Sequence, residues 1–183
     1  MLFCGKEFPM RTRHLILTAS AAMLVLGTAL PASAVDPPTT VTVTGGALVI
    51  TAPAGAGNLG TRANTVPGGT ISGLYGEVKV SDARSAVAGS AWVASVISSA
   101  FTPPAGPAIP ASNVGYTVGS ITQVGTATYV ANNPPNLTGV APAVTASGIT
   151  GDNSATWNPT INVFVPGGMA PGVYSATITH SVL

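Results

Sequence analysis

Ionisable side chains are scarce in this chain of 183 residues: six are Lys or Arg, five are Asp or Glu, and two are His. Nucleic-acid binding requires a cluster of cations that displaces counterions from phosphates, so this composition excludes it. Electrostatic adsorption to anionic lipid is excluded as well, since each basic residue contributes only about 1 kcal/mol. Cysteine is scarcer still, because Cys4 is the only one. The chain therefore cannot form an internal disulfide.

The longest apolar run lies near the N-terminus and has the features of a secretory signal peptide. Basic residues precede an uncharged apolar stretch at 15–30, and a small-x-small cleavage sequence follows at 32–34. A bilayer span needs about 20 apolar residues, so this stretch is short for one, and an uncleaved anchor is the alternative. Cleavage after Ala34 removes residues 1–34, including Cys4. We expect a secreted, extracellular mature domain at 35–183, at the cell surface or cell wall, with no transmembrane segment.

The mature region is nearly neutral and is rich in Thr, Ser, Asn, Gly and Pro. Weakly charged surfaces favour association, so contact with like molecules or with a neutral polymer is expected. The cations of this region are Arg62, Lys79 and Arg84, and its acids are Asp36, Glu77, Asp82 and Asp152.

Short runs of alternating apolar and polar residues, separated by turns rich in Gly and Pro, fill the mature region. Val, Thr and Ile favour strands, and strong helix formers are rare. The runs include 70–82, 91–98, 115–124, 156–165 and 172–183. Their spacing predicts one all-β domain, an antiparallel immunoglobulin-like β-sandwich of about seven to nine strands. A barrel or jelly roll of similar strand number is the alternative.

Few residues of the mature region could carry out catalysis or bind metal. His180, its sole histidine, shares a predicted strand face with Ile178 and Val182. That position favours a packed or half-exposed side chain over a catalytic or metal-binding one. One histidine and dispersed carboxylates supply neither a zinc nor a calcium site. The sequence therefore predicts no catalytic residue, no metal and no cofactor.

Asp82 and Arg84 lie where the 70–82 strand pattern gives way to other residues. An Asp side chain at such a point can accept hydrogen bonds from backbone N–H groups, and Arg84 can pair with it. The two residues are expected to fix a turn.

The two tryptophans of the mature region are the candidate ligand-binding residues. Trp92 lies inside an alternating strand, where an indole usually fills the core, because burying it removes a large apolar area from water. Trp157 precedes Asn158-Pro159, where a strand pattern is interrupted. It is the better candidate for an exposed platform on which the rings of a neutral polysaccharide could stack.

Four segments taken together resemble one family. They are 78–84 (VKVSDAR), 91–96 (AWVASV), 165–168 (VPGG) and 171–179 (PGVYSATIT). They are similar to the V-x-D-x-R, Trp-x-x-x-V and closing-strand segments of WxL-type domains, secreted modules that attach non-covalently to the walls of Gram-positive bacteria. The Trp-x-Leu tripeptide is not kept, since Trp92 is followed by Val93-Ala94. The resemblance implies a sandwich fold and a cell-surface setting, with Trp92 at the family's first tryptophan.

These observations favour a secreted, non-catalytic surface module that associates non-covalently with cell-wall polymer or with other surface proteins. A self-assembling subunit of a surface layer or fibre is the alternative, because strands poor in lysine leave sheet edges unguarded. A secreted hydrolase is the remote alternative.

Overall fold

A computed structural model describes residues 41–42 and 44–183, so the predicted signal peptide at 1–34 lies outside the described residues. Within this part of the chain there are eight strands, and a short 3-10 turn at Ala111–Asn113 precedes the fourth. The strands are β1 (Leu48–Thr51), β2 (Gly68–Leu74), β3 (Val78–Ser98), β4 (Val114–Thr117), β5 (Ile121–Ala131), β6 (Ala141–Trp157), β7 (Thr160–Pro166) and β8 (Ile178–Val182). None of the described helical segments has the length and apolar character that a membrane crossing requires.

The strands form two antiparallel sheets. The larger sheet has the order β1-β3-β6-β5, and β8 also pairs with β3. β1 lies beside the first part of β3, at Lys79–Asp82, and β8 lies beside its last part, at Ala94–Ser98. The smaller sheet has the order β2-β7-β4. The predicted all-β antiparallel sandwich is confirmed, and its strand number falls within the predicted range.

The core lies between the two sheets and follows from alternation along each strand. In β3, Val78, Val80, Trp92, Ala94 and Val96 are buried, while most intervening residues face outward. A period of two places every second side chain on the same face, so each strand contributes one row to the core. The smaller sheet contributes a facing set of buried side chains from β4 and β7: Val114, Tyr116, Ile161 and Val163.

Strand boundaries differ from those that the sequence pattern predicted. The 70–82 run divides between β2 and β3, because the chain crosses from one sheet to the other at residues 75–77. The backbone N–H of Tyr75 donates to the Pro159 carbonyl oxygen (2.8 Å), and that of Gly76 donates to Asn158 Oδ1 (3.0 Å). These two bonds provide acceptors for backbone N–H groups that have no partner in either sheet at the crossing.

β3 is one strand of 21 residues, and it continues through the segment between the predicted runs at 70–82 and 91–98. Its pairing with β6 shifts register on either side of Ala86 and of Ser90. Ser85 (φ 53°) and Gly89 (φ 89°) adopt the left-handed region there. Such irregularities admit extra residues and increase local twist without ending the strand.

Candidate functional site

Both tryptophans are core residues. Trp92 is 1% exposed, and its indole N–H donates to Asn153 Oδ1 (3.0 Å). Trp157 is 2% exposed, and its indole N–H donates to the Tyr116 hydroxyl oxygen (2.9 Å). Each buried indole therefore has the hydrogen-bond partner that burial of its N–H group requires.

The expectation that Trp157 forms an exposed platform is wrong. Trp157 is the last residue of β6, and its Cα pairs with Val78 of β3 and Ile121 of β5. It continues the inward row of Asn153 and Ala155, so its ring points into the core. The interruption at Asn158-Pro159 follows Trp157, so Trp157 itself is still part of the strand and keeps its inward orientation. Neither indole face is available for stacking on a sugar in this structure.

Asp82 and Arg84 form the ion pair that the sequence predicted, but within β3 rather than at a strand end. Arg84 Nε donates to Asp82 Oδ1 (2.8 Å), and Arg84 Nη2 donates to Oδ2 (2.9 Å). The Arg84 backbone N–H also donates to Oδ1 (3.2 Å), as expected of an Asp that organises local backbone. The strand continues past this point because β6 pairs with it again at Ala86. The pair therefore stabilises the irregular part of β3, where the register of its pairing with β6 shifts between Asp82 and Ala86.

Asp82 is 1% exposed, and its carboxylate is joined to the core through Asn153. Asn153 Nδ2 donates to Asp82 Oδ2 (3.2 Å), and its Oδ1 accepts from Trp92 and from the Tyr129 hydroxyl (3.3 Å). Hydrogen bonds from Arg84 lower the pKa of Asp82 below its ordinary value, although burial acts in the opposite direction. The carboxylate therefore stays ionised and acts as a hydrogen-bond acceptor that anchors this network.

His180 is packed between two tyrosines. Its ring centroid lies 5.1 Å from that of Tyr75 and 5.7 Å from that of Tyr116. Its Nε2 is 3.1 Å from the Tyr116 hydroxyl oxygen, which already accepts from Trp157. Because that oxygen acts as an acceptor towards Trp157, its own proton can be donated to a neutral His180. The packed, half-buried strand position predicted for His180 is confirmed.

Burial lowers the pKa of His180 from 6.5 to about 4. Its Nδ1 atom is buried and has no hydrogen-bond partner among the residues that the structure describes. Burial also raises the pKa of Tyr116 above its ordinary value. At neutral pH the rings of Tyr75, Tyr116 and His180 are uncharged. A hydrogen bond joins Tyr116 to His180, whereas Tyr75 contacts His180 through its ring.

The outer face of the larger sheet carries hydroxyl groups on neighbouring strands. One row runs across four strands in register, through Thr51, Lys79, Thr156 and Thr122. Strands are spaced by about 4.8 Å, so this row extends over about 15 Å. Further hydroxyl pairs lie in register on the same sheet: Ser81 with Ser154, Thr126 with Thr150, and Thr128 with Ser147. We call these residues the hydroxyl face.

The hydroxyl face is weakly charged. Lys79 is its cation, and the nearby carboxylate of Asp152 accepts a hydrogen bond from the Ser85 backbone N–H (2.9 Å). Thr122, Thr126 and Thr128 of β5 are exposed. None of these residues was predicted as a binding residue from the sequence. The sequence does show Thr and Ser repeated at alternate positions of the predicted strands, which indicates outward hydroxyl groups. Their alignment across the sheet depends on strand register, which the sequence pattern does not give.

In comparisons with known proteins, the chain matches no family model, no curated protein and no solved structure.

Proposed function

We propose that this chain is a secreted, non-catalytic cell-surface module that binds neutral cell-wall polymer through the hydroxyl face. The observation that carries the proposal is the in-register row of hydroxyl groups on neighbouring strands. The resemblance of its segments to WxL-type domains supports the same setting. Other surface proteins of similarly neutral chemistry are the alternative partner.

Hydroxyl groups suit a neutral glycan because each can both donate and accept a hydrogen bond, as the sugar hydroxyls can. Their backbone positions are fixed by ladder bonds to strands on one or both sides. A rigid array loses little conformational freedom when it binds, so that many weak contacts can add up to measurable affinity. Bridging waters extend such contacts with little loss of enthalpy.

Retention of the purified protein on isolated Gram-positive cell walls tests this proposal. We expect the wild type to sediment with the walls, and the double variant Thr122→Val, Thr156→Val to lose most of that retention. Valine keeps the shape of threonine and removes the hydroxyl group. Thr70→Val is the matched control, since Thr70 is an exposed strand residue of the smaller sheet. No retention of the wild type, or equal retention of all variants, would contradict the proposal.

A second candidate function is self-assembly through β5. This strand is 11 residues long, contains no charged residue, and has no strand paired to its outer edge within the described part of the chain. An antiparallel pair of two β5 edges centred on Thr126 would bring no like charges together. Lysine at an exposed edge normally prevents such pairing.

Sedimentation velocity tests self-assembly directly. We expect the wild type to form a concentration-dependent dimer or larger species, and Thr128→Lys to sediment as a monomer at the same concentration. Thr70→Lys is the control, because it adds the same charge to a strand of the other sheet. A wild type that remains monomeric at all concentrations would eliminate this candidate.

A further inference from the structure

A stretch of coil packs against the inner face of the smaller sheet, at β2. Segment 59–62 runs along β2, and the glycines of β2 make room for it. A Cβ atom at Gly73 would overlap the Leu59 carbonyl oxygen, and one at Gly69 would overlap the Arg62 guanidinium group. Gly69, Ile71 and Gly73 lie on the same face of β2, since they occupy alternate positions. Leu59 is thus at one end of this face and Arg62 is at the other.

A cavity of about 750 Å³ lies between this coil, the inner face of the smaller sheet, and segment 169–178. This volume is within the range of about 300–1,000 Å³ that is typical of small-molecule sites. Its walls are mainly apolar, and they include Leu59, Ile71, Phe101, Ile109, Val163 and Val165.

The two coil segments that enclose the cavity are joined by hydrogen bonds. The Asn64 side chain donates to the Met169 carbonyl oxygen and accepts from the Gly168 backbone N–H (3.2 Å). Within segment 169–178, the Tyr174 hydroxyl donates to the Ala170 carbonyl oxygen (2.8 Å). These bonds hold the walls of the cavity in place before any ligand binds, and preorganisation of this kind lowers the cost of binding.

Arg62 is the only charged residue among the described residues that line the cavity. Its Nη2 donates to the Gly68 carbonyl oxygen (2.6 Å) and to Thr65 Oγ1 (3.1 Å). These bonds orient the guanidinium group, while Nε and Nη1 have no protein acceptor among the described residues. A guanidinium group has five donors in a planar arrangement that matches a carboxylate.

We propose that this cavity binds one molecule of a fatty acid, with its carboxylate at Arg62 and its acyl chain against the apolar side chains that line the cavity. The apolar walls match an acyl chain, and the single cation matches a single negative charge. The proposal concerns a different surface from the hydroxyl face and does not depend on wall binding.

Calorimetric titration of the full chain with dodecanoate, below its micellar concentration, tests the assignment. We expect binding of one molecule per chain and a rise in the thermal midpoint, because a ligand that binds only the folded state stabilises it. In Arg62→Gln, dodecanoate should bind at least tenfold more weakly, while the affinity for the uncharged analogue dodecanol should change less than twofold. Lys79→Gln is the charge-matched control and should bind dodecanoate as the wild type does.

Two further variants keep the test decisive if Arg62→Gln perturbs the coil. Arg62→Lys retains the charge and should retain part of the preference for dodecanoate over dodecanol. Ala56 also lines the cavity, and Ala56→Trp should fill part of it with an indole and abolish binding of both ligands. Absence of dodecanoate binding to the wild type, equal affinities of wild type and Arg62→Gln, or undiminished binding by Ala56→Trp would each overturn the proposal. Wall retention of the Arg62 and Ala56 variants, measured in parallel, reports on the hydroxyl face separately, because neither residue belongs to that face.

Discussion

His180 should make the folded protein less stable in mild acid. Burial lowers its pKa to about 4 in the folded state, whereas its ordinary value of 6.5 applies to the unfolded chain. The unfolded state therefore binds more protons between these two values, and the free energy of unfolding decreases as the pH falls through this range. The stabilising contribution is complete above about pH 6.5 and is lost by about pH 4. Protonation also replaces the acceptor at Nε2 with a donor that faces the Tyr116 hydroxyl.

The magnitude follows from the size of the shift. The difference between the two pKa values corresponds to about 3 kcal/mol, at about 1.4 kcal/mol per pKa unit. Because the His180 ring is partly exposed, solvent screening reduces the contribution that we expect to about 2 kcal/mol. The lowered pKa of Asp82 acts in a separate window, since its stabilisation is lost only as the pH falls below the ordinary aspartate value of 3.8.

Urea unfolding of the wild type and of His180→Gln at pH 7.5 and pH 4.5 measures this contribution. Glutamine cannot titrate, and its carbonyl oxygen can accept from the Tyr116 hydroxyl. We expect the wild type to lose about 2 kcal/mol more than the variant between the two pH values. Equal losses in the two proteins would refute the assignment of acid sensitivity to His180.

Three further predictions concern the core, and urea unfolding measures each of them. Trp157→Ala should lower the free energy of unfolding by about 3–5 kcal/mol, because it leaves a large cavity; a loss below 1 kcal/mol would contradict full burial. Asp82→Ala should cost about 1–3 kcal/mol, because it leaves the buried Asn153 amide with a long bond (3.5 Å) to the Gly151 carbonyl oxygen in place of the bond to Asp82. It should cost more than Arg84→Gln; the reverse order would show that the guanidinium is the essential partner. Gly73→Ala should cost about 1–3 kcal/mol, because the added methyl group overlaps Leu59. The control Gly139→Ala meets no neighbouring atom and should cost less than about 1 kcal/mol. Equal costs would contradict the close approach of segment 59–62 to β2.

Local pattern was sufficient for the fold class and for some individual residues. Alternation placed Trp92 inward, and the short separation of Asp82 and Arg84 made their pairing predictable. The burial of Trp157 was not predicted, because the Asn158-Pro159 interruption that follows it suggested an exposed strand end. In the structure Trp157 instead ends the inward row of β6. The continuity of β3 was missed because its central Ala, Ser and Gly residues have no strong strand preference. Pairing with β6, which is distant in sequence, keeps this part of the chain extended.

The sites depend still more on long-range structure. The hydrogen bonds that link Trp157, Tyr116 and His180 join residues from three strands, and no local pattern brings them together. The hydroxyl face requires the register of neighbouring strands, because a shift by one residue would turn each hydroxyl group to the opposite side of the sheet. The cavity requires the coil at 59–62 to lie on the glycines of β2. Sequence pattern could suggest the outward residues of a strand but not their neighbours across the sheet.

The measurement that tests the wall-binding claim most directly is retention on isolated cell walls over a series of salt concentrations. Contacts between uncharged hydroxyl groups are insensitive to ionic strength, whereas contacts between exposed charges weaken as salt screens them. We expect the wild type to be retained equally from about 0.05 to 1 M salt, while Thr122→Val, Thr156→Val is released throughout. Retention that disappears as salt is added, or that persists in the double variant, would contradict binding through the hydroxyl face.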